Sequence, residues 1–336
     1  IFRVIMIEKV AIIGAGAWGM ALALHLARES KCAVSLWSVR EASRNNLKIS
    51  RCNDLLLPGI LLPSQIEISD SYTDAISGAG LLVSSIPSAH LRSVLKNIDS
   101  QTPPMLPVLS TTKGLERNSF LRPSQTILDV LGPRPVSILS GPSHAEEVAR
   151  GLPTSLALAG SDPDINLQIQ SLFNSESFRV YTNHDVLGVE LAGALKNVIA
   201  IAAGINDGLG YGDNAKAALI TRGLVEMTRY GVACGAEAST FNGLAGLGDL
   251  IATCTSAHSR NRKVGERLGR GEKLAQFLPG MSQVAEGIFT APSIREQAVQ
   301  RNIDLPIIEQ VYQVLQHGKS PKTAVQDLMN RAPRKE

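Results

Sequence analysis

The 336-residue chain has little of what would mark several protein classes. It has four cysteines, Cys32, Cys52, Cys234 and Cys254, scattered with no C-x-x-C pair. That pattern argues against a disulfide framework, and a reduced, intracellular protein is its simplest reading. No His/Cys/carboxylate cluster has metal-ligand spacing, so no metal is expected. The net charge of +3 is too small to imply a nucleic acid or a membrane surface as partner. It still allows a local basic pocket for a small phosphate. No apolar run reads as long enough to span a bilayer. Ile1 to Ile5 lack the cationic start and cleavage site of a signal peptide, and Met6 just before the first β-rich run marks them as a possible extension. Internal repeats and low-complexity tracts are missing too. What remains is 44% hydrophobic and 19% charged residues, a globular composition with an ample core, at a length that expects two domains.

The first half alternates β-rich and helical patterns. Lys9-Val10-Ala11-Ile12-Ile13 is a short strand, followed by Gly14-Ala15-Gly16-Ala17-Trp18-Gly19 and an apolar helix from Met20 to Ala27. Strand, G-x-G-x-x-G and helix together form the dinucleotide fingerprint in its proper context. Gly14 permits the tight turn, Gly16 lets a pyrophosphate approach the backbone, and Gly19 lets the helix pack on the strand. The helix start offers N–H groups to the anion. The same glycines without a ligand would make only a tight turn.

A second strand, Ala33 to Trp37, is followed by Ser38-Val39-Arg40, and the first acid is Glu41. NAD proteins usually place an acid there for the adenosine ribose. Arg40 in its place suits the extra phosphate of NADP; the alternative is a solvated loop residue. A loop-rich stretch with Pro58-Gly59 and Pro63 follows. Strands then read at Gly80–Pro87, Val108–Gly114 and Val136–Ser143, with the last two at Thr154–Ala159 and Arg179–Tyr181. Lys113 lies just past a strand end, the favoured place for an anion in an open α/β sheet. Ser143 and Glu146 have capping-box spacing, so Ser143 is a candidate helix cap.

From Val186 onward helical patterns take over. The division expected is an α/β Rossmann-type domain, 1–187, and an all-α domain, 188–336. Val189 to Gly204 is apolar nearly all round and reads as a buried helix whose strongly polar side chains are Glu190, Lys196 and Asn197. A lysine there must be paired, line a cleft or have a lowered pKa, unless it snorkels to solvent. Gly208 to Asn214 reads as a turn into a helix from Ala215 to Tyr230. Gly246, Gly248 and Asp249 follow, with Asp249 a candidate neighbour of Lys196 or a helix N-cap. Ser259-Arg260-Asn261-Arg262-Lys263 opens a helix expected over Val264 to Leu268, and a helix start with these side chains suits a phosphate. Ser282 to Gly287 reads as a short polar turn, and Ile303 to Met329 as amphipathic helix and loop.

With these motifs assembled, the chain resembles bacterial NAD(P)-dependent glycerol-3-phosphate dehydrogenases from Lys9 to about Leu328. The resemblance rests on the glycine turn at 14–19, Lys113-Gly114, Gly141-Pro142-Ser143, Glu190 to Asn197, Gly246 to Asp249 and Ser259-Arg260-Asn261. It implies reversible hydride transfer between a nicotinamide and the secondary carbon of glycerol 3-phosphate. In the cell that would mainly reduce dihydroxyacetone phosphate for phospholipid synthesis. It implies NADP, or NAD, as cofactor, a cytoplasmic homodimer, and no insertion into membranes.

By the same resemblance Lys196 is the catalytic acid/base, and Lys113, Gly141, Ser143, Asp249, Ser259, Arg260 and Asn261 surround the substrate. Ala17, Trp18, Arg40, Lys113, Ala145, Arg260, Val284 and Glu286 match the cofactor side. Family members often carry a basic residue two positions after the second-strand Trp; here that position is Val39, with Arg40 next. Two other classes remain open at this point. One is a dehydrogenase of similar build acting on a hydroxy acid or phosphogluconate. The other is a cofactor-binding redox sensor, which would have no need of Lys196.

Overall fold

The computed structural model describes residues 7–281 and 285–333. The extension at 1–5 therefore lies outside the described residues. The chain folds as two compact units. The first takes the described residues up to Glu116 together with Leu121–Glu190, and the second takes Arg117–Phe120 and the described residues from Leu191.

The first unit is built on one eight-stranded sheet. Its strands are β1 (Lys9–Ile13), β2 (Ala33–Trp37), β3 (Ile66–Ile68), β4 (Leu81–Ser84), β5 (Val108–Ser110), β6 (Val136–Ser140), β7 (Thr154–Gly160) and β8 (Phe178–Asn183). They lie in the order β3-β2-β1-β4-β5-β6-β7-β8, parallel except between β6 and β7. Val10, Ala11 and Ile12 in β1 are wholly buried, the mark of a central strand covered on both faces. The chain order reverses on either side of β1, so β1 and β4 flank the switch point at which open sheets bind ligands.

Helix Ala17–Glu29 covers this region, and Arg28 Nη1 donates to the Ala149 carbonyl at 2.6 Å, tying it to helix Ala145–Ala149. His25 is buried in it with Nε2 2.7 Å from the Phe173 carbonyl and its ring stacked on Phe178. Burial holds its pKa below the ordinary histidine value, which makes it a neutral core residue.

The second unit has no strand among its described residues. Its central element is the helix Val186–Leu209, which begins at the end of the first unit. This helix corrects one expectation. It is long and apolar enough to cross a membrane by length and composition, but 89% of its most apolar window is buried inside the protein. Its polar side chains interrupt the hydrophobic pattern in the sequence without shortening the helix.

Helix Arg260–Gly269 packs directly on it. A Cβ on Gly204 would overlap the Arg262 carbonyl, and one on Gly265 would overlap the Ile201 carbonyl, so the two backbones touch with no side chain between them. The turn read at 208–214 is tighter than expected: one helix runs to Leu209 and the next, Gly212–Ala233, starts three residues later.

Three further differences are local. The loop-rich stretch is preceded by helix Glu41–Ser50 and followed by β3. β3 is three residues long, too short to show a period in sequence. Helix Arg260–Gly269 starts four residues before the expected Val264, because Ser259 caps it by accepting the Arg262 N–H at 3.2 Å. Ser143, by contrast, caps nothing. His144 occupies the cap position of helix Ala145–Ala149, and the Ser143 hydroxyl turns back to donate to the Gly141 carbonyl at 2.9 Å.

One buried carboxylate gives the second unit a pH dependence. Glu226 accepts the N–H groups of Ile307 (2.7 Å) and Ile308 (3.1 Å) at the start of helix Pro306–His317. Burial, only partly offset by these bonds, pushes its carboxyl up to about 7 from an ordinary 4.5. A raised folded-state pKa contributes stability that is full below about pH 4.5 and is lost as pH rises through about 7. Glu226→Gln removes the titration. Relative to the variant, the parent should lose on the order of 1–3 kcal/mol between about pH 5 and about pH 8 in urea unfolding. A stability difference that is flat across that range would show that Glu226 does not titrate there.

Candidate active site

The glycine turn of the first unit has the shape a pyrophosphate needs. Gly14 follows β1 at φ +109°, a conformation closed to L side chains, and a Cβ there would also strike the Ser85 carbonyl after β4. A Cβ on Gly19 would overlap the Gly14 carbonyl, so helix and turn are in contact. At Gly16 a Cβ would meet nothing, which leaves its approach open to a ligand. Gly16 caps helix Ala17–Glu29 without a side-chain hydrogen bond, and no acid sits in the first turn. The first-turn N–H groups of Ala17 and its neighbours are thus directed at an anion's position. These residues fit a dinucleotide. Ala17 is buried and Trp18 half-buried in that turn.

At the end of β2, Arg40 is exposed and starts helix Glu41–Ser50. At the ends of β5 and β6 three residues expected at the substrate come together. Lys113 Nζ donates to the Gly141 carbonyl at 2.8 Å and lies 3.5 Å from Ser143 Oγ. Gly141 makes this turn possible at φ +137°. Ala145 is buried at the start of the following helix.

In the second unit Lys196 is 6% exposed, so its ammonium needs partners inside the protein. It donates to Asp249 Oδ1 at 2.6 Å and to Thr253 Oγ1 at 2.7 Å. The Thr253 hydroxyl in turn donates to the Asp249 carbonyl at 2.6 Å. Asp249 opens helix Asp249–Thr255 just after a single π-helical turn, Leu244–Gly248, and Gly248, not Asp249, holds the cap position. Thr253 was not among the expected residues. Its signal is the four-residue spacing from Asp249, which puts both on one helix face. Burial pushes the neighbouring Cys254 thiol up to about 12, so it stays protonated and offers no thiolate.

Glu190 and Asn197, both on the Lys196 helix, serve different ends. Glu190 belongs to the first unit, where it pairs with Arg122 and accepts the N–H and hydroxyl of Ser124, each at 2.7 Å. Burial raises its pKa against the pull of those partners. Asn197 Oδ1 accepts from Asn261 Nδ2 at 2.9 Å, and Asn261 Oδ1 accepts the Gly287 N–H at 2.9 Å. Both ends of the Asn261 amide are therefore engaged inside the second unit. Arg262 is engaged as well, through Nε to Asp207 Oδ2 at 2.6 Å, while Lys216 holds Asp207 Oδ1 at 2.6 Å. Of the basic residues at this helix start, Arg260 is the first-turn arginine outside that cluster, half-buried beside Ser259. Glu286 caps helix Gly287–Gln300, and Val284 lies outside the described residues.

A Rossmann-type unit with a dinucleotide turn at its switch point, and a helical unit built round a buried lysine, define a two-part nicotinamide-nucleotide dehydrogenase. The chain belongs to the NAD-dependent glycerol-3-phosphate dehydrogenase family. The family's N-terminal model matches residues 9–166 and its C-terminal model residues 185–326.

The chain is similar to the glycerol-3-phosphate dehydrogenase (NAD(P)+) of Koribacter versatilis, with 46% identity over 328 residues covering 96% of this chain and 97% of that one. The corresponding protein of Geobacter sulfurreducens is 46% identical over 329 residues, covering 97% and 98%. The crystal structure of glycerol-3-phosphate dehydrogenase from Coxiella burnetii superposes with a TM-score of 0.92 at 37% identity, covering 96% of this chain and 99% of that chain. A 2-dehydropantoate 2-reductase from Bacillus subtilis shares the fold alone, at 15% identity and a TM-score of 0.56.

The Asn261 bridge carries a test of the second unit's architecture. Asn261→Ala takes a donor from Asn197 Oδ1 and the acceptor from the Gly287 N–H, both buried. Each loss costs about 1–3 kcal/mol. The variant should lose roughly 2–6 kcal/mol in urea unfolding with an unchanged m-value. A loss under about 0.5 kcal/mol, the range of ordinary surface substitutions, would show that the bridge holds nothing.

Proposed function

We propose that the chain catalyses the reversible NAD(P)H-dependent reduction of dihydroxyacetone phosphate to sn-glycerol 3-phosphate. The observation that carries this reading is the buried Lys196 ammonium held by Asp249 and Thr253, in a chain of this family. When bound, NADPH would supply the hydride that goes to the substrate's carbonyl carbon. The carbonyl oxygen then needs a proton, and Lys196 is the group assigned to give it and to take it back in the reverse direction. Asp249 and Thr253 fix the position of the ammonium.

Arg260, the Ser259 hydroxyl and the first-turn N–H groups of their helix anchor the substrate phosphate, with the Asn261 contribution made by its main chain. Phosphate binding energy then orients the carbonyl. Lys113, Gly141 and Ser143 form the polar group assigned to the substrate in the first unit, with Lys113 also on the cofactor side. Gly14, Gly16, Ala17, Trp18, Gly19 and Ala145 hold the dinucleotide. Arg40 reads the adenosine phosphate, which favours NADP over NAD, and Val284 and Glu286 complete the cofactor set. The functional division falls at 187/188. The chain works as a cytoplasmic homodimer without membrane insertion or nucleic acid, and its product feeds glycerophospholipid synthesis.

The purified chain should oxidise NADPH on addition of dihydroxyacetone phosphate and not on addition of 2-keto acids. Lys196→Ala should lower kcat by roughly two orders of magnitude or more, the usual scale for general acid–base groups, with NADPH affinity unchanged. Parental turnover in that variant would remove Lys196 from the chemistry, and turnover with keto acids alone would overturn the substrate.

A further inference from the structure

We propose that Arg44 is a second, pre-oriented cation at the adenosine 2′-phosphate position and sets the preference for NADP together with Arg40. The proposal rests on the reading of Arg40 as a phosphate contact. The end of β2 is where a Rossmann-type unit meets the adenosine ribose. Arg40 stands there exposed, at the start of helix Glu41–Ser50. Arg44 lies four residues further on, in the first turn of that helix, while Arg40 precedes it in extended conformation.

Unlike Arg40, Arg44 is half-buried and folded back onto the strand end. Its Nη1 donates to the Ser38 carbonyl at 2.6 Å and to the Val39 carbonyl at 3.3 Å. Its guanidinium carbon sits 5.8 Å from the centre of the Trp37 ring, the last residue of β2. Both hydrogen bonds use one nitrogen. A guanidinium presents five N–H donors in a rigid fork, so the Nη2 and Nε edges are left for an oxyanion. Among the described residues no carboxylate forms an ion pair with Arg44, so its charge is not neutralised by the protein.

A cation already fixed by carbonyls and an aromatic face loses little rotamer freedom on binding, whereas exposed Arg40 must be ordered by the ligand. Ser38 adds a hydroxyl to the same corner, its Oγ accepting the Arg40 N–H at 3.3 Å. The sequence alone favours Arg40 because it stands where the acid is expected. The structure shows that the better-organised cation comes four residues later.

The competing role for Arg44 is to hold the turn between β2 and its helix. The nucleotides 2′,5′-ADP and 5′-AMP separate the two roles, since they differ by the 2′-phosphate alone. Calorimetric titration of the parent should show tighter binding of 2′,5′-ADP. Arg44→Ala should weaken 2′,5′-ADP about tenfold or more and leave 5′-AMP within about twofold. Arg44→Gln keeps a donor for the Ser38 carbonyl, and so the turn, but has no charge. It should lose as much as the alanine variant, and Arg44→Lys should recover only part.

Equal losses for both nucleotides, or none for either, in a parent that prefers 2′,5′-ADP would overturn the role of Arg44 and leave Arg40 standing. A parent without that preference would overturn both.

Discussion

A charged amine inside an apolar helix is the constraint on which the second unit depends. Lys196 sits in a run where Leu195, Val198 and Ile199 are wholly buried. Its ammonium survives there because Asp249, itself 2% exposed, supplies a counter-charge at 2.6 Å and Thr253 an acceptor at 2.7 Å. A buried pair of this kind gains little over a well-packed apolar core, but losing one partner strands the other charge. The arrangement is thus a costly way to build a core and a good way to hold a proton donor. The local backbone bends to make it: the π-helical turn at Leu244–Gly248 delivers Asp249 to the start of its helix. Such turns recur at functional sites.

The same helix fixes where the basic helix start stands. Gly204 and Gly265 bring the two backbones into contact, Asn197 and Asn261 bridge them, and Asp207 holds Arg262 at 2.6 Å. These contacts divide the labour within one short basic sequence. Arg262 and the Asn261 side chain are architectural, while Ser259 caps the helix and keeps a hydroxyl proton to donate. In the first unit the corresponding economy lies in the turns after the strands. Gly14 and Gly141 take backbone shapes that other residues reject, and they place the anion-facing helix start and the Lys113–Ser143 group at the strand ends.

Much of this is legible in the sequence, for identifiable reasons. β1 and β2 show at their true ends, Lys9–Ile13 and Ala33–Trp37, because central parallel strands are buried on both faces and read as short, largely apolar runs. The glycine turn is legible because strand and helix flank it. Burial of Lys196 in an apolar helix narrows its state to pairing, a cleft wall, a lowered pKa or snorkelling, and the structure shows pairing with Asp249.

What the sequence hides is decided by contacts distant in the chain or by very short elements. β3 has three residues and no period. Ser143 has capping-box spacing, yet Gly141 turns its hydroxyl away from the helix. The Asn261 amide is committed to Asn197 and Gly287, partners too distant in the chain for its neighbourhood in sequence to show. Arg44 looks like one more surface cation until Ser38 and Trp37 fix it. The length of the Val186–Leu209 helix is masked by the polar residues that give it its use.

The central claim is that the Lys196 ammonium delivers the proton to the substrate oxygen. Its most direct test replaces the side chain with glycine and returns an amine from solution. In Lys196→Gly, turnover of dihydroxyacetone phosphate with NADPH should rise in proportion to the concentration of added protonated methylamine. The gain should shrink as the amine grows too large for the vacated space. Residual turnover that stays constant at every amine concentration, in a variant that still binds NADPH and substrate, would contradict the account.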